Sequence, residues 1–480
     1  MTSEDIKRNH IAGEWVAGGE VLTDLNPSDL DDTVGRYAQA TTAQVEEAIA
    51  AARRAFPAWS RSGVQERADL LEQVGSEILA RREELGRLLS REEGKTLPEG
   101  IGEATRAGYI FRFFAGEVLR ARGELVESVR PGVGVEITRE AVGVVGLITP
   151  WNFPLAIPAW KIAPALAFGN CVVFKPSELV PACAWALADI LVRAGIPAGV
   201  FNLVMGGPAV GEAMCRSPQV DAISFTGSQA VGARVAQAAS ARLARVQLEM
   251  GGKNPLVVLD DANLDVAVNC AVQGAYYSTG QRCTASSRLI VTQGIHDRFI
   301  DALVQRLGRL KVDDALAPGT DIGPVVDERQ LAKDLEYIEV ARREGARLVF
   351  GGEPLARAKR GHYLAPALFV GTTPQMRVNR EEIFGPVASV IRARDYDEAL
   401  ALANDTPFGL CAGIVTTSLK YASDFKRNAQ CGVVMVNLPT AGIDYHVPFG
   451  GRKGSSYGPR EQGAYAREFY TSVKTSYVLA

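Results

Sequence analysis

From Val142 to Leu259 the chain alternates between short β-rich runs and helical ones, the rhythm of a parallel sheet wrapped by helices. The β-rich runs are Val142 to Thr149, Cys171 to Phe174, Val200 to Val204 and Val220 to Phe225, with helices near Ala182 to Ala194 and Gln229 to Ser240. After Asp260 the rhythm restarts, with a helix around Leu264 to Tyr277, a strand at Ser287 to Thr292, a helix from Ile295 to Leu310, and further units to Val436. A second α/β domain follows from that. Its boundary near Gly251 and Gly252 is set by motif and rhythm, because no low-complexity linker or short repeat marks it. With 480 residues the chain exceeds one ordinary core, and about 150 residues per domain gives two to three.

Between Thr42 and Leu119 apolar positions recur at helical spacing, as in Val45, Ala48, Ile49 and Ala52, then Leu70, Leu71, Val74, Ile78 and Leu79. This stretch is expected to form a helical layer. Two β-prone segments around Pro131-Gly132 predict a projecting hairpin from Arg122 to Glu140.

Bulk properties narrow the function. The net charge of −3, with both signs interspersed, leaves no basic block for nucleic acid or an anionic membrane. The seven cysteines (Cys171, Cys183, Cys215, Cys270, Cys283, Cys411, Cys431) are odd in number and lack CxxC pairs, against both a disulfide framework and a zinc knuckle. A reducing compartment is expected. Met1 to His10 is polar, and no later run approaches the roughly 20 apolar residues of a membrane span, so a cytoplasmic location is expected. His10, His296, His362 and His446 are scattered without HExxH spacing, and no metal is predicted.

Several short segments could carry chemistry. Ser278-Thr-Gly-Gln-Arg-Cys283 follows an apolar helix and precedes a β-run, placing Cys283 on a loop, though a lone cysteine is more often a small buried hydrophobe. Leu248-Glu249-Met250-Gly251-Gly252 puts a carboxylate at a strand end, where it is either a solvated glutamate or a general base. Thr149-Pro150-Trp151-Asn152-Phe153-Pro154 brackets an asparagine between prolines, and by itself reads as a rigid turn. No stretch satisfies GxGxxG. Instead Phe225-Thr226-Gly227-Ser228, with Gly232 after it, opens a helix straight after a strand, where free backbone NH groups could meet a phosphate. Lys175-Pro176-Ser177-Glu178 and Glu381-Glu382-Ile383-Phe384 offer polar and aromatic groups for a nucleotide, or else a surface turn and a helix end.

In series, PWNFP, KPSE, FTGS, LEMGGKNP, GQRC, EEIFGP and PFGGRKGS resemble the aldehyde dehydrogenase superfamily in identity, order and spacing over nearly the whole chain. The resemblance implies an aldehyde dehydrogenase-like α/β fold of two doubly wound domains. Residues 1–121 and 141–251 would form a Rossmann-like cofactor domain and 252–465 the catalytic domain. Residues 122–140 and 466–480, including the strand-like Tyr470 to Leu479, would form a small β oligomerisation element of a homodimer or homotetramer.

By the same resemblance, Cys283 is the nucleophile that forms a thiohemiacetal and then a thioester with an aldehyde. Asn152 and the Cys283 backbone NH make the oxyanion hole, and Glu249 is the base that activates water. Cofactor binding is implied for Ile148, Thr149, Trp151, Lys175, Ser177, Glu178, Phe225, Gly227, Ser228, Gly232, Met250, Gly251, Glu382 and Phe384. The cofactor is NAD or NADP, with NAD favoured because Glu178 would repel a 2'-phosphate. Family members break that rule.

The stretch Asn437 to Phe449, with Gly450 to Gly463 after it, is similar to bacterial α-ketoglutaric semialdehyde (2,5-dioxopentanoate) dehydrogenases. That implies a carboxylated aldehyde oxidised to 2-oxoglutarate, with succinic semialdehyde, other ω-oxo acids and aliphatic aldehydes as alternatives. An arginine should hold the carboxylate, Arg106 first and Arg282 second, while Phe153, Trp160 and Phe449 match aromatic tunnel walls. A cysteine hydrolase or a non-catalytic dinucleotide-binding protein is the rival from another class. A coenzyme A-acylating relative typically lacks the glutamate present here as Glu249.

Overall fold

The computed structural model describes residues 6–120 and 123–479. Met1–Asp5, at the head of the polar N-terminus, Arg122, at the start of the expected hairpin, and the end residue Ala480 lie outside the described residues.

The runs Val144–Ile148 and Cys171–Lys175 are apolar at almost every position, as a strand covered on both faces must be. They lie side by side in an eight-stranded sheet whose parallel centre runs Arg245–Met250, Ala222–Gly227, Val144–Ile148, Cys171–Lys175, Phe201–Leu203. In chain order the strands build outward from Val144–Ile148 in one direction and then the other. The strand order therefore reverses between Val144–Ile148 and Ala222–Gly227, where doubly wound sheets open a crevice at their carboxyl ends. Asn9–Ile11 and Glu14–Val16 extend one edge antiparallel.

A second sheet has seven strands in the order Arg347–Phe350, Ala367–Val370, Val387–Ala393, Arg288–Thr292, Pro255–Val258, Cys411–Val415, Val433–Val436. All its pairings are parallel except that of Arg347–Phe350. Thr471–Leu479, Val133–Ala141 and Glu124–Glu127 form a third, antiparallel sheet, in register from Thr471 opposite Ala141 to Leu479 opposite Val133. A fourth, at the N-terminus, joins Ile6–Lys7, Asp29–Gln39 and Glu20–Asn26.

The expected helical layer consists of Thr42–Trp59, Val64–Ala80, Arg82–Glu93 and Leu97–Val118. Thr96 and Glu99 close a capping box at the start of the last of these. Val64–Ala80 and Leu97–Val118 pack closely at Gly75 and Gly108, where a Cβ on Gly75 would lie 2.8 Å from the Gly108 carbonyl oxygen. Ala156–Ala167, absent from the sequence expectation, is buried at every position, so it has no polar face to betray a helical period. Among the described residues, no helix is long and apolar enough to cross a membrane.

Two stretches depart from the expected division. Ser456–Tyr457, inside the range 252–465, pairs antiparallel with Leu248 and Glu249 at the edge of the first sheet. Ala466, Phe469 and Tyr470, inside the range 466–480, pack into the first sheet's core because their apolar side chains are buried there. Only Thr471–Leu479 of that range stands in the third sheet.

Candidate active site

Helix Leu264–Ala275 stops short of the expected Tyr277 because Ser278 and Thr279 turn the chain into the left-handed region, at φ of 50° and 57°. Such backbone is costly for non-glycine residues and persists only where surrounding contacts hold it. Here they do. Glu99 Oε1 accepts from the Ser278 backbone N at 2.9 Å, from Ser278 Oγ at 2.8 Å and from Arg282 Nη2 at 2.9 Å. On the far side Asn254 Nδ2 donates to the carbonyls of Cys283 at 2.7 Å and Ala285 at 2.9 Å. Cys283 is thus presented on a pinned loop before the strand Arg288–Thr292.

The Cys283 side lines a cavity of about 370 Å³. All five expected substrate residues, Arg106, Phe153, Trp160, Arg282 and Phe449, line it too. Lys95, Glu99 and Glu103 complete a charged wall that the motifs did not reveal. The one signal for the two glutamates is their spacing with Arg106, four and three residues apart along one face of the helix Leu97–Val118.

Asn152 and Glu249 are buried near the loop but are not among the residues lining this cavity. Asn152 Nδ2 donates to the Gln281 carbonyl at 3.0 Å, which fixes the amide and leaves its second hydrogen unassigned. Lys95 Nζ donates to the Asn152 carbonyl and, at 2.9 Å, to Glu103 Oε2. Glu249 Oε2 accepts from Ser456 Oγ at 2.6 Å.

Burial governs the titration of both groups. It pushes the Cys283 thiol up to about 12, with the carboxylates of Glu382 and Glu249 adding to it. It also raises the Glu249 carboxyl well above the usual range, helped by Glu461 and opposed by the Ser456 hydrogen bond, Lys161 and Arg460. The free protein at neutral pH therefore holds a thiol rather than a thiolate.

The two arginines differ. Arg282 is paired with Glu99 and also donates to Ser278 Oγ at 2.6 Å. Among the described residues Arg106 has no ion-pair partner within bonding distance; its Nη2 donates to Gln462 Oε1 at 2.8 Å and its guanidinium lies 5.7 Å from the Trp160 ring centre. Burial lowers its pKa while Glu103 and Asp444 raise it, and an arginine remains charged at neutral pH.

A second cavity, about 660 Å³, opens where the first sheet's strand order reverses. Ile148, Lys175, Glu178 and Phe225 line it, together with Glu212, Arg216 and Arg234, which the motifs missed because they sit on helices without a signature. Lys175 Nζ is 3.9 Å from Glu178 Oε2. Of the other residues expected around a cofactor, Gly227 ends a lining strand and Ser228 caps the next helix, accepting from Val231 N at 3.4 Å. Gly232 backs onto Met250, the Thr149 N–H donates to the Lys175 carbonyl at 3.1 Å, and Ser177 Oγ accepts from Leu179 N at 3.3 Å.

Trp151 and Phe384 meet edge to face at 5.4 Å between ring centres, Phe384 with a φ of 71°. Glu382 Oε1 accepts from Gly252 N at 2.9 Å, and a Cβ on Gly251 would stand 2.1 Å from Glu382 Oε2, so only glycine admits the carboxylate. These ten residues are not among those lining the groove. Among the described residues no group of three His, Cys, Asp or Glu side chains is placed to hold a metal ion.

Two α/β sheets, a crevice at the reversal point of the first and a cysteine-bearing cavity at the start of the second define a two-domain α/β protein built for nucleotide and small-molecule ligands. The chain belongs to the aldehyde dehydrogenase family, whose model matches residues 15–476. It is 43% identical to the alpha-ketoglutaric semialdehyde dehydrogenase of Bacillus subtilis, across all of this chain and 99% of that one. It is 41% identical to the 2,5-dioxopentanoate dehydrogenase of Saccharolobus solfataricus, across 97% of this chain and 98% of that one. Among solved structures, the betaine aldehyde dehydrogenase of Staphylococcus aureus in complex with NAD+ superposes with a TM-score of 0.96 at 34% identity, covering 98% of this chain and 94% of that one. An NAD-dependent aldehyde dehydrogenase from Sinorhizobium meliloti gives 0.96 at 37% identity, covering 99% and 95%.

The raised thiol pKa has a direct readout. In the free protein the thiolate fraction at Cys283 should grow with pH, so its alkylation by iodoacetamide should accelerate steadily from pH 7 to 10. A rate that levels off below pH 8 would show an activated thiolate instead.

Proposed function

We propose that the chain oxidises a carboxylated aldehyde of the α-ketoglutaric semialdehyde type to the corresponding acid, 2-oxoglutarate, with NAD or NADP as oxidant. The observation that carries this is the sharing of one cavity by Cys283 and Arg106, whose charge no carboxylate among the described residues bonds. The names of the relatives at 41% and 43% identity support the same substrate. Other relatives are named betaine aldehyde dehydrogenase, at 42% identity for one from Cereibacter sphaeroides. A quaternary ammonium would be repelled by Arg106, whereas succinic semialdehyde and other ω-oxo acids share the carboxylate.

The groove fits a dinucleotide by chemistry. Backbone N–H groups at the start of the helix Gln229–Ser240 suit a diphosphate, and Lys175 and Glu178 suit ribose hydroxyls. Glu178 favours NAD over NADP through like-charge repulsion of a 2'-phosphate. A nicotinamide held in this groove would supply the acceptor for the hydride of the carbonyl carbon.

The chain's own groups do the rest. Cys283 Sγ bonds to the aldehyde carbon as its proton passes to solvent water, and the new oxyanion is met by the free Asn152 Nδ2 hydrogen and the Cys283 backbone N–H. Loss of hydride leaves a thioester on Cys283. Glu249, made more basic by burial, draws a proton from the attacking water once its bond to Ser456 opens. In this reading residues 1–121 and 141–251 serve the cofactor, and 252–465 supplies the nucleophile.

The third sheet is proposed to join subunits into a homodimer or homotetramer. Leu125, Tyr477 and Leu479 on it are 85%, 60% and 74% exposed, an apolar surface that calls for a partner. Solution scattering should return a dimer or tetramer mass at micromolar concentration, and a monomer would refute the assignment.

Glu249→Gln should give one burst of reduced nicotinamide per subunit and then a kcat about 100-fold or more below wild type, because the thioester persists. An undiminished steady state would remove Glu249 from the mechanism. Arg106→Ala should raise KM for α-ketoglutaric semialdehyde about tenfold or more while moving that for propanal far less. Equal changes for both aldehydes would dismiss the carboxylate anchor.

A further inference from the structure

Gln462 is fully buried, yet it is held in the left-handed backbone region at φ 59°, and its Nε2 has no hydrogen-bond partner among the described residues. Both features cost stability, and a residue chosen for packing alone would avoid them. Its one side-chain bond is the acceptance of Arg106 Nη2 by Oε1 at 2.8 Å.

The neighbours explain how such a residue is kept in place. Phe449 and Glu461 exchange backbone hydrogen bonds of 2.7 and 2.9 Å, tying the segment to a wall of the Cys283 cavity. Glu461 Oε1 accepts from Lys161 and Ser224 while its Oε2 has no partner, and among the described residues no ion pair joins Glu461 to the guanidinium.

We infer that Gln462 is a positioning residue for substrate selection: its neutral amide fixes the Arg106 guanidinium without cancelling its charge, which stays free for the substrate's carboxylate. The inference rests on the carboxylated-aldehyde reading above. Arg282 supplies the internal contrast. Both arginines line the cavity, but Arg282 is bonded by the Glu99 carboxylate and its charge is spent on the loop of the nucleophile. The carboxylates that face Arg106 are elsewhere engaged or more distant. Glu103 binds Lys95 and the backbone N–H groups of Leu155 and Ala156, and Asp444 acts on Arg106 only through space. A glutamine at 462 thus decides whether the cavity has a net cation to offer. A glutamate there, nearly the same in shape, would pair with the guanidinium and remove it.

The test is the ratio of kcat/KM for α-ketoglutaric semialdehyde to that for propanal, measured on the intact enzyme with NAD. In Q462E the ratio should fall about tenfold or more, with the loss in KM for the carboxylated substrate rather than in kcat. In Q462M, which removes the acceptor without adding charge, it should fall about threefold; this variant also provides the readout if Q462E does not fold. A residue with a purely structural role would depress both aldehydes together and leave the ratio alone. A wild-type preference for the carboxylated aldehyde that survives intact in the folded variants overturns this inference only. A wild-type enzyme with no such preference overturns the carboxylate reading and this inference with it.

Discussion

One face of the helix Leu97–Val118 carries Glu99, Glu103 and Arg106, and each reaches a different part of the chain. Glu99 holds Ser278 and Arg282 beside the nucleophile, Glu103 caps the chain at Leu155 and Ala156 behind the Asn152 loop, and Arg106 meets Gln462 near the C-terminus. A helix places residues three and four apart on one side, so a single rigid rod sets the relative positions of three loops. The cavity exists between those three attachments.

Charge inside this cavity is arranged by pairing. Lys95 with Glu103 and Arg282 with Glu99 offset each other, and the cost of burying ions is met by mutual attraction and backbone donors. Arg106 stands apart because its partner is an amide. Left-handed backbone at Ser278 and Thr279 lies on the loop before the nucleophile, and that at Gln462 beside Arg106. The thiol and the Glu249 carboxyl are both shifted by burial toward their neutral forms.

Much of this was legible in the residues. The alternation from Val142 onward gave the doubly wound sheets, and PWNFP, GQRC and LEMGG, as short-range strings, singled out Asn152, Cys283 and Glu249 for the roles proposed. The five substrate candidates do share the cavity with Cys283. The helix Ala156–Ala167 was hidden by uniform burial, and Lys95 and Glu212 by the lack of any signature around them. Ser456–Tyr457 pairs at the edge of the first sheet, a join that an edge strand of two residues, with no period of its own, does not announce.

Local patterning, then, determined which segments become strands and helices and which side chains can do chemistry, since both are written within a few residues. Tertiary closure alone decided the partners. Arg106 and Gln462 are 356 positions apart, and Glu99 and Arg282 are 183 apart. No spacing rule links such pairs; only the packed helix that spans them makes one arginine a spent charge and leaves the other free.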